Sequence, residues 1–239
     1  MAFFGNKMMV FEEGVSYASS LILYQTFKNT VSDLTGLNVP TTSGTSYVNG
    51  LYSGLPNESI AITSVATSGV TTPNNTRFSF ENKASFTIAI AFKLTNTSSY
   101  KFILQKNGTA GYDNAEYYLF VQNGMFILRL IDSVNIGYVD YKFGVISDGV
   151  NYVVVISYDE ENEIVCKINN VDRTATKSTT GTFISIHHGT APLELYRCSW
   201  SSSIKAYGTV DTLAMFNKEL TSTEMSDIYT KITTNQSLL

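Results

Sequence analysis

From residue 20 to residue 216 the chain alternates apolar and polar positions with a period of two, in short runs bounded by Gly, Asn, Asp and Ser. Successive side chains of a β-strand point to opposite faces, so each run reads as a strand with one buried face. The runs predict strands at Ser20 to Phe27, Ser59 to Val65, Arg77 to Phe80, Ser85 to Leu94, Lys101 to Lys106, Tyr117 to Gln122 and Met125 to Leu130. Further runs follow at Val139 to Phe143, Asn151 to Tyr158, Glu163 to Ile168, Gly181 to Ile186, Leu193 to Cys198 and Val210 to Phe216. That number exceeds a seven-stranded immunoglobulin-like sandwich and suits an all-β, two-sheet antiparallel jelly roll. Two hairpins are marked: Asn123-Gly124 supplies a two-residue turn with both central residues at positive φ, and the polar loop Asp159 to Asn162 joins two apolar runs. Residues 28 to 58, dense in Gly, Ser, Thr and Asn, predict a loop-rich stretch that wraps the sandwich edge and supplies short strands.

The period changes once, near the C-terminus. Thr221-Ser-Thr-Glu224 has the spacing of a capping box, in which the Thr221 side chain accepts from the Glu224 N–H and the Glu224 carboxylate reaches back to the Thr221 N–H. Leu220 and Met225 are placed as a hydrophobic staple, and Met225, Ile228, Tyr229 and Ile232 form one apolar face. This predicts a helix from about Ser222 to Thr230 packed on the sandwich. Residues 1–19 are read as an N-terminal arm and residues 20–239 as the sandwich domain.

Composition narrows the setting. Of 239 residues, 15% are charged, against about 25% in ordinary soluble proteins, so Ser, Thr and Asn must supply the polar surface. A net charge of −4 with no run of Lys or Arg leaves no footprint for a phosphate backbone, which argues against nucleic acid as a partner. No apolar run reaches the roughly 20 residues that span a bilayer, and the start lacks the layout of a signal peptide. Five Asn-x-Ser/Thr sequences read as turn chemistry, and Cys166 and Cys198, each within an apolar alternating run, read as buried free thiols.

Several landmarks together resemble the concanavalin A-like lectin/glucanase superfamily, in particular its laminin-G-like and pentraxin-like branch. Asp148-Gly149-VNYVVVISYDEENEIVCKINNV matches the layout of a central hairpin of that branch, and Gly208-TVDTLAMFNKELTSTEM matches its closing segment. Ala84-SFTIAIAFKL and LILYQTFKNTVSDLTG resemble its upstream strands. The family's Trp-His pair is replaced by Asn151-Tyr152, and Asn169-Asn170 stand at the following turn. The resemblance implies a jelly-roll sandwich closed by one short helix, and gives Asp211 a structural role in the last strand.

The glucan-hydrolysing branch uses a Glu-x-Asp-x-x-Glu strand, and hydrolysis needs two carboxyl groups roughly 5 to 10 Å apart. No such motif occurs here. Asp159, Glu161 and Glu163 alternate across a predicted turn and read as solvated, and His187-His188 would point to opposite faces of a strand. No serine triad, phosphate loop or zinc spacing is present. The expectation is therefore a non-enzymatic binding or structural protein.

Laminin-G-like domains often hold calcium at one rim, and through it glycans. By that resemblance Asp113, Asn114 and Glu116 offer oxygens to Ca²⁺, the only cofactor implied, and Tyr112 offers a face to a sugar; the competing reading is a turn with Asx chemistry. Trp200 is either a stacking platform or a half-buried rim residue.

The arm adds Phe3, Phe4, Met8, Met9 and Phe11, an apolar cluster that requires cover from the chain's own sandwich or from a neighbouring subunit. With the Ser/Thr/Asn-rich, cysteine-poor composition, it suggests a bacteriophage virion protein: a capsid decoration, head fibre or tail-associated adhesin released by lysis. Its partners would be other virion proteins or copies of itself, and cell-surface glycans.

Overall fold

A computed structural model of the protein describes residues 17–62, 68–81, 84–107, 114–159, 163–199, 201 and 203–239. The strands are β1 (Leu21–Thr26), β2 (Ser32–Asp33), β3 (Thr41–Ser43), β4 (Thr45–Val48), β5 (Ser59–Ile62), β6 (Gly69–Thr72), β7 (Phe86–Leu94), β8 (Lys101–Lys106) and β9 (Tyr117–Gln122). They continue with β10 (Met125–Asp132), β11 (Gly137–Val145), β12 (Asn151–Asp159), β13 (Glu163–Ile168), β14 (Val171–Arg173), β15 (Thr176–Thr180), β16 (Leu193–Leu195) and β17 (Gly208–Phe216), and the chain then enters helix α1 (Ser222–Thr233).

Two antiparallel sheets form a sandwich. The first runs β14-β13-β12-β7-β17-β1-β2, with β5 on β17 and β4 on β5; the second runs β15-β11-β10-β9-β8-β16-β6-β3. Their facing sides alternate as the sequence predicts, Ile88, Ile90 and Phe92 of β7 meeting Tyr117, Leu119, Phe126 and Leu128 across the core. Aromatic rings bridge the layers: Phe86 and Tyr117 lie 6.3 Å apart, Phe92 and Phe126 6.0 Å.

Helix α1 covers the outer side of the first sheet, burying Met225, Ile228 and Ile232. Small residues make room for it there, since Ala89, Ala91 and Ala214 occupy the outward positions of β7 and β17. Both halves of the capping box form, with the Glu224 N–H donating to Thr221 Oγ1 at 3.3 Å and the Thr221 N–H to Glu224 Oε2 at 2.8 Å. The helix runs one turn beyond the expected end, because Tyr229 and Ile232 still pack on the sheet.

Turn chemistry holds at the two Asn turns, while residues 160–162 of the other marked loop lie outside the described residues. Asn123 and Gly124 have φ of 50° and 78°, and Asn169 and Asn170 have 50° and 61°, as two-residue hairpin turns require. Gly208 starts β17 at φ 148°, and a Cβ there would stand 2.0 Å from the Lys93 carbonyl oxygen.

Two expected strands are replaced. At residues 76–78 the chain makes a 3₁₀ turn, because the Asn75 side chain captures the Arg77 N–H at 3.0 Å and stops an extended start. Residues 181–192 carry no strand; the N–H groups of Ile184 and Ser185 donate to Asp132 Oδ2 at 2.9 and 3.4 Å in place of a neighbouring strand.

Candidate functional site

Carboxylates in this charge-poor chain are turned inward to tie loops to the sheets. Asp33 accepts from the N–H of Tyr24 and Thr35. Asp211 accepts from the N–H of Leu51 and from Ser59 Oγ, pinning residues 50–59 to β17; burial raises its carboxyl, and these bonds pull the other way. Burial also opposes ionisation of Asp132, but the Asn135 side chain and the N–H groups of Asn135, Ile184 and Ser185 outweigh it and hold the carboxyl at about 2. Glu194 accepts from Gln105, Arg197 and the Ser199 N–H.

Glu116 belongs to the same set. It is wholly buried, and its Oε1 receives Lys106 Nζ at 2.7 Å, the Gly189 N–H at 2.8 Å and Ser79 Oγ at 3.0 Å. Asn114 accepts the Thr190 N–H at 2.7 Å, so residues 114–116 and 187–192 are laced together. Tyr112, Asp113 and Trp200 lie outside the described residues, as do Phe3, Phe4, Met8, Met9 and Phe11 of the arm. Among the described residues no group of three His, Cys, Asp or Glu is arranged to hold a metal ion. His187 is not on a strand; its Nε2 lies 3.3 Å from Asp132 Oδ1. Cys166 and Cys198 are buried thiols outside any disulfide, and burial pushes the Cys166 thiol well above its ordinary range.

Where β13 and β14 at the edge of the first sheet face β11 and β15 at the edge of the second, the layers part around a groove of about 550 Å³. That volume falls within the range of small-molecule sites. Tyr141 and Tyr158, 6.2 Å apart, form the inner wall with Cys166, and Ile164, Phe183 and Ile184 continue it outward. Asp159, Asp172, Arg173 and Lys177 stand around it. Lys177 Nζ lies 5.7 Å from the Tyr141 ring, and Asp172 pairs with Lys167 at 2.7 Å. Among the described residues, neither Arg173 nor Lys177 makes an ion pair, and neither side chain donates a hydrogen bond.

The groove thus presents apolar and aromatic surface beside the Arg173 and Lys177 donors, which no described residue engages in an ion pair or hydrogen bond. Such a surface suits a ring with a C–H face and hydroxyl edges. Sequence reading missed Arg173 and Lys177 because β14 and β15 are exposed throughout and carry no apolar alternation. The Asn169-Asn170 turn was the one signal that another strand follows β13.

No protein-family model matches the sequence, and no curated protein matches it. Solved structures do match the fold. The binding domain of Paraclostridial Mosquitocidal Protein 1 superposes with a TM-score of 0.71 at 12% identity, covering 90% of this chain and 52% of that one. The binding domain of botulinum neurotoxin DC, solved in complex with rat synaptotagmin II, gives 0.69 at 14% identity, covering 91% and 52%. This chain therefore spans about half the length of the toxin binding domains it matches. Domain 4 of AbnA, an extracellular arabinanase from Geobacillus stearothermophilus, solved in complex with arabinotriose, gives 0.64 at 16% identity, covering 88% of this chain and 98% of that one. What the chain shares with all three is a two-sheet β-sandwich.

Proposed function

We propose that the chain is a non-enzymatic adhesive module with a lectin-like sandwich, carried on a virion, that binds surface carbohydrate through the groove between β13–β14 and β11–β15. The observation that carries the reading is the pairing of an aromatic and aliphatic wall with Arg173 and Lys177, which make no ion pair and donate no side-chain hydrogen bond among the described residues. An unspent donor beside an apolar face is the recurring design of a polar small-molecule site. The binding-domain character of the matched sandwiches supports the reading, and the Ser/Thr/Asn-rich composition with an apolar arm supports the virion setting.

A glycan array on the purified chain, with and without chelator, tests it. The expected result is retention of at least one class of oligosaccharide that Arg173→Ala and Lys177→Ala weaken together. Parallel Asp113→Ala and Trp200→Ala arrays separate the groove from a contact at the loop rim. A blank array under every condition would sink the carbohydrate reading. For the arm, light scattering before and after removal of residues 1–19 should show a larger species only with the arm present.

A further inference from the structure

Lys106 ends β8 with a side chain that is completely buried, in a protein whose other cations mostly reach solvent. Its ammonium is enclosed by four oxygens from three separate segments: Glu116 Oε1 at 2.7 Å, Asn74 Oδ1 at 2.8 Å, and the carbonyl oxygens of Gly189 and Ala191, each at 3.2 Å. A carboxylate, a side-chain amide and two backbone carbonyls converging on one point are the donor set of a hard-cation site. Glu116 Oε2 is buried beside them with no hydrogen-bond partner. Gly189 fits the arrangement closely, since a Cβ there would stand 2.9 Å from the Asn114 carbonyl oxygen and 3.2 Å from Glu116 Oε1.

We infer that this cage is a cation site whose resident cation is the chain's own Lys106 ammonium, so that the loops after β6 and before β9 and β16 are locked without a metal. The tethered ammonium supplies the charge that Glu116 needs in a dry interior, and it spends its hydrogen bonds on neutral oxygens that would otherwise be desolvated. Burial lowers the Lys106 pKa while Glu116 raises it, the opposition expected of a cation held in place by its counter-ion. Removal of the lysine side chain would leave five oxygens, the two of Glu116 included, around a hole open to water molecules and a divalent ion. The class of ligand is therefore a small hard cation such as Ca²⁺, and the inference is independent of what the groove binds.

Thermal unfolding of the full chain in EDTA and in millimolar CaCl₂ tests it, together with Tb³⁺ luminescence sensitised by Tyr117. The wild-type chain should unfold at the same temperature in both buffers. Lys106→Ala should lose on the order of 10 °C in EDTA, regain most of it in CaCl₂ and show sensitised Tb³⁺ emission. The doubly neutral Lys106→Met, Glu116→Gln chain should fold and gain nothing from calcium. The inference is overturned if the wild-type chain gains as much from calcium as Lys106→Ala does. It is equally overturned if Lys106→Ala stays unfolded, or unchanged, when calcium is added.

Discussion

Positive charge is handled in opposite ways in two regions of this sandwich. Around Lys106 every polar contact is internal: one carboxylate, one amide and two carbonyls close on a fully buried ammonium. Around Arg173 and Lys177 the apolar wall is present, but among the described residues no acceptor meets either cation. A buried charge stays only where its partners are complete, whereas an unmatched charge at a groove costs nothing in water and is ready for a ligand. The difference separates groups that hold the fold from groups available for recognition, a distinction that residue type alone does not make. Glu116 and Asp172 are both acidic residues beside a lysine, yet the first is sealed and the second stands mostly in solvent.

Substitutions can break that contrast at either end. The largest effect is expected from Glu116→Ala, which strands the Lys106 ammonium in a dry interior and should cost about 3–5 kcal/mol in denaturant unfolding. Asp132→Asn comes next, on the order of 2 kcal/mol at neutral pH, because the amide cannot accept all the bonds that Asn135, Ile184 and Ser185 give the carboxylate. The sign of its pH dependence is fixed by a folded carboxyl near 2 against an ordinary 3.8. Its contribution is whole above about pH 4 and is lost as pH falls through about 2, so an acid titration of stability should be flatter in Asp132→Asn. Thr221→Ala removes the side-chain half of the capping box and should cost about 1 kcal/mol. The smallest stability change is expected from Arg173→Ala, within about 0.5 kcal/mol, since the residue is exposed and makes no ion pair among the described residues. That same substitution should weaken glycan retention roughly tenfold, equivalent to about 1.4 kcal/mol. Equal stability losses in Glu116→Ala and Arg173→Ala would erase the contrast.

The elements most legible in the sequence are those that bury one or both faces. Strands β8, β9 and β13 lie where the alternation puts them, and α1 starts at its capping box. Strand β15, Thr176–Thr180, is exposed along its whole length and made of Thr, Ser and Lys, so no hydrophobic period marks it; only pairing with β11 makes it a strand. The site follows the same division. Glu116 was legible as an oxygen donor, but its partner Lys106 comes from the end of a different strand, and sequence spacing does not record that meeting. Arg173 and Lys177 were invisible for the reason that β14 and β15 were.

Backbone amide chemical-shift mapping by NMR, with the strongest oligosaccharide from the array titrated into the full chain, bears most directly on the division between sealed and open charge. The account predicts shifts concentrated in β13, β14, β15 and residues 183–184, with Lys106 and Glu116 unmoved. Shifts centred on residues 106–116 and 187–191 that leave Arg173 and Lys177 untouched would contradict it.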